Sequence, residues 1–459
     1  MKKINKVLIA NRGEIAVRIL RTLKRLGIKS VAIHSEADTK AMHVSFADES
    51  VCVGPANASS SYNNIQNIIS AADLTRADAI HPGYGFLSED AKFADIVEHH
   101  NITFLGPTSE QIEQMGNKMI AKKFMQEAGV PVVPGSEDAI EDPDEAYEIA
   151  KNMELPILFK ATECGGGRGQ RIVRNKEEIK EMFIAAQNEA FAISRKKGVF
   201  IESYFENPRH IEFQIIGDGK GNVICLGTRD CSVQRRHQKV MEEGPARIDK
   251  TIETDISKKI CAVLGKLKYR SAGTVEFLEC RGKLYFIEMN TRIQVEHPVT
   301  EAITGLDLIE LQIRVAQGQP LPKQSDIKIR GHAMEARITA EDPFEFTPNP
   351  GMIEQFLAPG GPNVRVDGAL YPGWFIPPWY DSLATKIISF VPNKEGSDSF
   401  EKTRSECIKM HRQALEETTI SGIKTSIPLQ LWILDQLEFQ EGKISTQWLE
   451  KALQNREKK

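Results

Sequence analysis

The chain has 459 residues, which at about 100 to 200 residues per domain predicts roughly three domains. Hydrophobic residues make up 41% and charged residues 27%, a balance that is typical of globular proteins and excludes long disordered regions. Lys and Arg number 59 against 63 Asp and Glu, so the formal net charge is -4 and no general basic surface for nucleic acid is expected.

Targeting segments and membrane spans are not indicated. The first apolar run is too short for a signal peptide, and no run approaches the ~20 apolar residues of a membrane helix. We therefore expect a cytoplasmic protein without a membrane partner. The seven cysteines are scattered, odd in number and without metal-ligand spacing, which predicts reduced thiols. Cys164 is the one thiol that we expect to be accessible, because it lies in a glycine-rich stretch.

The first part of the chain predicts alternating strands and helices. An apolar run at 6–10 is followed by apolar side chains at helical spacing over 15–26 and by a second strand at 30–34. This βαβ beginning indicates a parallel sheet. We interpret Gly13, between strand and helix, as an ordinary tight turn. Further predicted elements are a strand ending at residue 80, a strand at 102–105 and a helix at 111–128.

A cluster of prolines and glycines predicts one boundary at 129–135, and the sequence Glu-Asn-Pro predicts a second at 206–208. Between them we expect a small lobe, and beyond them a β-rich region to about residue 393 and a mainly helical end. No internal repeat is found. The predicted elements are strands at 156–161 and 199–204 and a helix at 176–192 in the small lobe, and strands at 211–216, 223–228, 273–279 and 284–289 after it.

A glycine-rich stretch follows the first strand of the small lobe, and Lys160 stands at the end of that strand. Backbone amides of consecutive glycines, here including Gly166 and Gly167, can form a nest for phosphate, and a lysine adds a point charge. The alternative is a flexible linker beside an ordinary surface lysine. The stretch lacks the Gly-Lys-Ser/Thr of a Walker motif. It is a candidate polyphosphate loop.

Two glutamates on neighbouring strands form the second candidate. If residues 281–283 are a three-residue hairpin loop, Glu276 lies opposite Glu288 on one face of the sheet. Carboxylates opposed in this way repel, so the pair predicts a divalent cation between them, with Asn290 on the same side. A two-residue loop instead places Glu276 opposite Ile287. Two unrelated surface glutamates are the remaining alternative.

Polar residues crowd at 290–298, directly after an apolar strand, where reacting groups usually lie. Arg292 is a candidate for a bidentate clamp on a planar oxyanion, and Glu296 for a base beside it. A solvated turn is the alternative. A later strand places Arg337 among the inward-facing candidates, with an ordinary ion pair to Glu335 as its alternative.

Four cations occur within 229–239, without aromatic residues and with Glu242 and Glu243 close behind. This pattern favours an enclosure for phosphate or bicarbonate over a nucleic-acid patch.

Five long motifs, in chain order, resemble the biotin carboxylase family, the ATP-grasp component of acetyl-CoA carboxylase and related biotin-dependent carboxylases. The motifs are KVLIANRGE at 6–14, HPGYGFLSE at 81–89, RDCSVQRRHQKV at 229–240, FIEMNTRIQVEHPVTE at 286–301 and AEDP at 340–343. The resemblance covers essentially the whole chain and includes PPWYDS at 377–382.

The resemblance implies an α/β and α+β architecture with an ATP-grasp fold. It predicts an N-terminal Rossmann-like domain with a parallel sheet at 1–117 and an ATP-grasp region at 118–317 that contains a mobile lid at 131–204. A C-terminal mixed, β-rich domain is expected at 318–450.

The resemblance also implies a role for each matching position. ATP would be surrounded by Lys118, Lys160, Gly166, Gly167, Glu202, Ser203, Tyr204, Phe205, His210, Gln234, His237, Glu276 and Glu288. Magnesium or manganese would be held by Glu276, Glu288 and Asn290. Bicarbonate would contact Lys239, Arg292, Gln294 and Val295, with Glu296 as the base that deprotonates it, and Arg337 would stabilise the biotin enolate.

In the implied reaction, bicarbonate attacks the γ-phosphate of ATP to give carboxyphosphate, and the lid closes to exclude water. No Ala-Met-Lys-Met motif is present, so biotin is expected on a separate carrier protein, with carboxyltransferase subunits and a second copy of this chain as further partners. An acetyl-CoA carboxylase subunit in fatty acid synthesis is expected. A subunit of a pyruvate, propionyl-CoA or other acyl-CoA carboxylase and a catalytically idle ATP-binding scaffold are the alternatives.

Several positions depart from the family pattern. Glu163 and Cys164 stand where glycines are usual, Gln170 replaces a methionine, and Ser203 replaces a lysine. An added carboxylate beside phosphates predicts altered ATP affinity or lid closure. Arg25 and Pro362 differ at the dimer contact of the family.

Overall fold

The structure is a computed structural model that describes residues 3–136, 138–161, 170–194, 198–394 and 399–457. The chain begins with a parallel sheet in the order β3-β2-β1-β4-β5, covered by helices. Its strands are β1 (Lys6–Ile9), β2 (Lys29–Ser35), β3 (Glu49–Gly54), β4 (Ala79–His81) and β5 (Thr103–Phe104). Its helices are α1 (Gly13–Arg25), α2 (Met42–Phe46), α3 (Ile65–Thr75), α4 (Ala91–His99), α5 (Ser109–Gly116) and α6 (Lys118–Glu127).

The apolar periodicity of α1 explains its packing. Ile15 and Ile19, four residues apart, lie on one face and are buried in the same core as Val7 and Ile9 of β1. The predicted βαβ beginning is confirmed. The single helix predicted at 111–128 is wrong, because Asn117 ends α5 and its side chain caps α6 by accepting from two backbone N–H groups.

The small lobe has its own sheet and its own core. Its elements are α7 (Pro143–Ala150), β6 (Ile157–Ala161), β7 (Gln170–Val173), α8 (Ile179–Ser194) and β8 (Val199–Ser203). The antiparallel sheet has the order β7-β6-β8. Phe159 of β6 meets Phe183 of α8 edge to face, with ring centroids 5.3 Å apart, inside this core. The strands and the helix predicted for this lobe are confirmed.

The next part of the chain is built mainly of long antiparallel strands. Its elements are β9 (Arg209–Asp218), β10 (Val223–Arg235), β11 (Gln238–Gly244), α9 (Lys250–Lys266), β12 (Arg270–Cys280), β13 (Lys283–Asn290), α10 (His297–Thr304) and α11 (Leu308–Ala316).

The last part mixes strands with a helical end. Its elements are β14 (Gly331–Thr339), β15 (Gly351–Met352), β16 (Gln355–Leu357), β17 (Val364–Gly368), β18 (Phe375–Ile376), β19 (Leu383–Pro392), α12 (Phe400–Glu417), β20 (Thr419–Ser421), α13 (Ile427–Asp435), α14 (Leu437–Gln440) and α15 (Trp448–Glu457). The predicted helical end is confirmed apart from β20, which pairs with β16.

One large sheet joins these two parts in the order β13-β12-β9-β10-β11-β14-β19-β17. The strand β11 pairs with β14 through Met241 and Ala336, so the boundary predicted at residue 318 falls between strands of a single sheet. Backbone hydrogen bonds therefore hold side chains of the two parts side by side on the same sheet face.

Candidate active site

The hairpin of β12 and β13 has a two-residue loop at residues 281–282, because Cys280 pairs with Lys283. The predicted three-residue loop is wrong. Both loop residues have positive φ, which is the geometry of the two-residue turns that fit the twist of a hairpin.

A β-bulge nevertheless brings the two glutamates into register. Phe277 pairs with Phe286, but Glu276 pairs with Glu288, so Ile287 is the extra residue of the bulged strand. Glu276 and Glu288 therefore lie opposite each other, as predicted, but the cause is the bulge at Ile287 and not a three-residue loop.

Cations and an amide surround the Glu276 carboxylate. Lys239 Nζ lies 3.1 Å from it, His210 Nε2 lies 3.2 Å from it, and Asn290 Nδ2 donates to it at 2.9 Å. Burial alone would raise the pKa of Glu276, but Lys239 and His210 outweigh burial and lower it. Across the hairpin, Lys118 Nζ lies 2.5 Å from Glu288 Oε2.

This group of side chains fits magnesium or manganese. Glu276, Glu288 and Asn290 share one side of the hairpin and supply carboxylate and amide oxygens, the donors that hard divalent cations prefer. Two further groups of possible ligand side chains, His210 with Glu212 and Glu276, and Glu212 with Cys231 and Glu296, lie around the ammonium of Lys239.

Lys239 is the internal cation of the site. Its Nζ lies 2.8 Å from Glu212, 3.1 Å from Glu276 and 2.6 Å from Glu296. Burial alone would lower its pKa, but these carboxylates raise the pKa of Lys239 well above its ordinary value. Arg229, fully buried, donates to Glu212 at 2.6 Å from the other side. Glu212 thus holds two cations in place.

Glu296 and Arg337 form the second buried charge centre. Arg337 Nη2 donates to Glu296 Oε2 at 2.9 Å, and its Nε donates to Glu242 at 2.6 Å. Burial alone would raise the pKa of Glu296, but the positive charges of Lys239, Arg337 and Arg229 lower this pKa well below its ordinary value. Glu296 is therefore ionised, the form that accepts a proton. Among the described residues, Arg337 makes no ion pair with Glu335, so the alternative partner predicted for it is wrong.

The loop at 291–296 is tied to the N-terminal domain. Arg292 Nε donates to Glu89 Oε2 at 2.9 Å, and Thr291 N donates to the other oxygen of Glu89 at 2.9 Å. Arg292 also donates to Gln294 Oε1 at 2.9 Å, and Gln294 Nε2 lies 3.3 Å from Glu276. The loop residues predicted for bicarbonate therefore adjoin the acidic side chains of the sheet.

The predicted nucleotide residues of the small lobe are held more loosely. Lys160 lies 3.9 Å and Lys122 lies 3.6 Å from Glu202. Ser203 N donates to Pro134 O at 2.8 Å. Gly166 and Gly167, together with Glu163 and Cys164, lie outside the described residues.

The junction of the small lobe with the rest of the chain carries aromatic side chains. Tyr204 OH accepts from Gln447 Nε2 at 2.5 Å. Phe205 lies against Tyr285 with ring centroids 4.6 Å apart. These contacts bring the predicted adenine-side residues beside β13 and α15.

The predicted cation enclosure at 229–239 is only partly formed. Lys239 faces the site, whereas Arg235 stacks on Phe346 at 3.6 Å, and Arg236 lies exposed in the turn between β10 and β11. Arg236 and His237 both have positive φ in this turn, a conformation that is strained for residues other than glycine and is often retained for function. Gln234 is buried and donates to Cys231 O at 2.8 Å.

Several residues of the site were not predicted. They include Glu14, Glu89, Glu212, Glu242, Lys386 and Gln447. Glu212 had a usable signal, because it interrupts an otherwise apolar strand in which polar residues alternate at 210, 212 and 214. The others stand in ordinary sequence surroundings, and only the tertiary contacts reveal them.

Among the described residues, no helix combines the length and the apolar character that crossing a bilayer requires. The six cysteines in the described part of the chain are free thiols.

Comparison with known proteins agrees with this geometry. The model "Carbamoyl-phosphate synthase L chain, ATP binding domain" matches residues 117–324, which places the chain among ATP-dependent ligases of the ATP-grasp class. "Biotin carboxylase, N-terminal domain" matches residues 3–112, and "Biotin carboxylase C-terminal domain" matches residues 335–451.

Relatives match over the full length. The biotin carboxylase of Haemophilus influenzae is 51% identical, covering 98% of this chain and 99% of the relative, and that of Nostoc sp. is 50% identical with the same coverage. The chain belongs to the biotin carboxylase family and is an ATP-dependent ligase.

Solved structures of the family share the fold. The Campylobacter jejuni biotin carboxylase in complex with beta-gamma-ATP has a TM-score of 0.91 at 43% identity, covering 98% of this chain and 99% of that one. The biotin carboxylase domain dimer of the Hydrogenobacter thermophilus 2-oxoglutarate carboxylase, with MgADP, ADP and bicarbonate, has a TM-score of 0.89 at 45% identity, covering 98% of each chain.

Proposed function

We propose that this chain carboxylates the biotin of a separate biotin carboxyl carrier protein, using ATP and bicarbonate through carboxyphosphate. The observation that carries the proposal is the contact of Lys239 and Arg337 with the two oxygens of the buried Glu296. A base held between two cations suits a small anion that must be bound and deprotonated.

The nucleotide side of the site follows from the hairpin. Glu276, Glu288 and Asn290 would hold magnesium, which offsets the charge of the triphosphate. Lys118 and Lys160 would bind phosphate oxygens, because Lys118 is exposed and Lys160 partly exposed, and each pairs with a carboxylate among the described residues.

The adenine would lie at the junction of the small lobe with the large sheet. Its pocket would be formed by Glu202, Ser203, Tyr204, Phe205, His210, Gln234 and His237, with Gly166 and Gly167 over the phosphates. Residues 131–204 would close as a lid and exclude water from carboxyphosphate.

The bicarbonate side lies at the loop. Arg292, Gln294, Lys239 and the Val295 backbone would bind bicarbonate. Glu296 would take the proton of bicarbonate, and the resulting oxygen attacks the γ-phosphorus while ADP leaves. Carboxyphosphate would then break down to CO2 and phosphate, and the phosphate would take the proton of the biotin ureido nitrogen. Arg337 would stabilise the negative charge on the ureido oxygen while that nitrogen attacks CO2.

We assign the chain to an acetyl-CoA carboxylase that forms malonyl-CoA for fatty acid synthesis in the cytoplasm, with the carrier protein and carboxyltransferase subunits as partners. The full-length relatives of about this size named biotin carboxylase support this assignment. Self-association as a homodimer is also proposed, by likeness to the Hydrogenobacter domain dimer. Arg25, at the predicted dimer contact, is paired within the chain to Asp307 and Glu310 at 2.7 and 2.6 Å.

A second parent complex is favoured by one observation. The chain is also 45% identical to the biotin carboxylase subunit of a pyruvate carboxylase, with a TM-score of 0.85 and coverage of 98% of this chain. A pyruvate or other acyl-CoA carboxylase is therefore the alternative, because the acceptor is chosen by a separate transferase.

The test is the carboxylation of free biotin by the purified chain with Mg-ATP and bicarbonate. ADP release that requires both biotin and bicarbonate supports the proposal, and its absence refutes it. Co-purification of the carrier and transferase chains from the native host, followed by assays with acetyl-CoA and pyruvate, decides between the two parent complexes.

A further inference from the structure

Two buried side chains hold the backbone on either side of Val295. His297 Nδ1 donates to Gln294 O at 2.8 Å, and Lys386 Nζ donates to Val295 O at 2.7 Å. Both side chains have no exposed surface. They come from different elements, because His297 begins α10 and Lys386 lies in β19.

These two contacts also orient the N–H groups of the loop. A trans peptide is planar, and its N–H points away from its C=O, so holding Gln294 O directs the N–H of Val295 and holding Val295 O directs the N–H of Glu296. Within the described part of the chain, neither N–H donates a backbone hydrogen bond. N–H groups without a backbone acceptor are donors that an anion can use.

Lys386 is itself fixed by a buried acid. Its Nζ lies 3.2 Å from Glu14 Oε1, and Tyr84 OH donates to the same oxygen. Burial alone would lower the pKa of Lys386, but Glu14 and Glu335 outweigh burial and raise it, so the side chain stays an ammonium. Across the sheet, Lys386 is the strand partner of Arg337.

His297 donates as a neutral ring. Burial and the charges of Lys386, Arg18 and Arg365 lower the pKa of His297 well below its ordinary value. Because a carbonyl oxygen only accepts, the proton of the neutral ring lies on Nδ1. The hydrogen bond to Gln294 therefore persists at neutral pH.

We propose that Lys386 and His297 are positioning residues of the bicarbonate pocket, which hold the N–H groups of Val295 and Glu296 toward the anion before it binds. Glu14 contributes by holding Lys386. The inference rests on the proposed function, because it takes bicarbonate as the anion at Val295. Preorganised donors bind an anion without reorganising the loop when it arrives.

The experiment measures initial rates of biotin-dependent ADP release over a range of bicarbonate and of ATP concentrations. Lys386→Met removes the ammonium but keeps an unbranched side chain, and His297→Leu removes the ring donor. We expect each to raise KM for bicarbonate by about 10-fold or more, with KM for ATP changed by less than about twofold. His297→Asn retains a donor near Nδ1 and is expected to restore most of the loss.

The matched control is Arg404→Met. Arg404 is also buried and paired with an acid, Glu243 at 2.7 Å, but it does not contact the loop. This variant is expected to lose thermal stability like Lys386→Met while retaining KM for bicarbonate. If Lys386→Met does not fold, Glu14→Gln replaces it, with an expected rise of about 2- to 5-fold in KM for bicarbonate.

The inference is overturned if Lys386→Met and His297→Leu change KM for bicarbonate no more than Arg404→Met does. It is equally overturned if these two variants raise KM for ATP as much as KM for bicarbonate. It is also overturned if His297→Asn is as impaired as His297→Leu. A wild-type chain without bicarbonate-dependent ADP release would refute the proposed function instead, so the two failures are distinguishable.

Discussion

Two regions of the molecule differ in how deeply their charged side chains are buried and how closely these are paired. The first region is the loop at 291–296 together with the large sheet, and the second is the small lobe. In the first region, Glu296 is fully buried and contacts Lys239 and Arg337 at 2.6 and 2.9 Å. In the small lobe, Lys160 and Glu202 are 3.9 Å apart, and their side chains are 24% and 23% exposed.

This difference separates two tasks. A buried pair is costly to break, because removing one partner leaves an uncompensated charge in the interior, so its geometry is set before substrate arrives. A partly exposed pair contributes little free energy and can exchange its partner for a phosphate oxygen. We infer that the large sheet supplies the fixed geometry of proton transfer, whereas the small lobe supplies exchangeable charges for the nucleotide.

The largest effect is expected at the centre of the fixed region. Glu296→Gln removes the proposed base but retains the size of the side chain, and we expect the rate of biotin carboxylation to fall by about 10²- to 10⁴-fold. Steady-state kinetics with free biotin measure it. Glu279→Gln, which changes an acid of the same sheet that pairs with Arg209, is the control. Activity of Glu296→Gln close to wild type would exclude Glu296 as the base.

The stability of the two regions is compared by Glu212→Gln and Glu202→Gln. The first leaves the buried Arg229 without its ion-pair partner and removes one of the three carboxylates around Lys239, and we expect it to destabilise the protein by about 3–5 kcal/mol. The second weakens an exposed pair and is expected to cost about 0–1 kcal/mol. Urea unfolding of both variants measures the difference. Equal shifts would contradict the comparison.

The independence of the small-lobe core is tested by Phe159→Ala. The cavity beside Phe183 is expected to destabilise the lobe by about 3–5 kcal/mol. Hydrogen exchange should accelerate in β6 and β8, while exchange in β9 and β10 stays as in the wild type. Phe213→Ala, in the core under the large sheet, is the control and should accelerate exchange in β9 and β10. Acceleration of both regions by Phe159→Ala would mean that the lobe has no separate stability.

The last comparison concerns acid. Burial lowers the pKa of His411 from 6.5 to about 3, so the unfolded chain binds this proton at a higher pH than the folded chain. Stability from the neutral ring is therefore present above pH 6.5 and lost as the pH falls toward about 3, by about 1.4 kcal/mol per pH unit. Urea unfolding between pH 7 and about pH 4 should show a shallower pH dependence for His411→Asn than for wild type. An unchanged slope would contradict the assignment.

Helices and strands that depend mainly on residues close in sequence were predictable from the sequence. The spacing of apolar residues predicted α1, β6 and the strands around Glu276 and Glu288. The helical period of 3.6 residues and the strand period of 2 can be read from residues that are close in sequence. Local errors had local causes, since the cap at Asn117 split a helix and a bulge at Ile287 compensated for a shorter loop.

The amino-acid sequence alone was also sufficient to recognise the family resemblance, the paired glutamates and the polar loop at 291–296, because each is a contiguous motif. Only the tertiary structure decided what those groups contact. Glu89 reaches Arg292 across 203 residues of sequence, Lys239 gathers acids from three elements, and Lys386 meets both Glu14 and the Val295 carbonyl. Such partners are set by strand order and by domain packing, and no local periodicity encodes them.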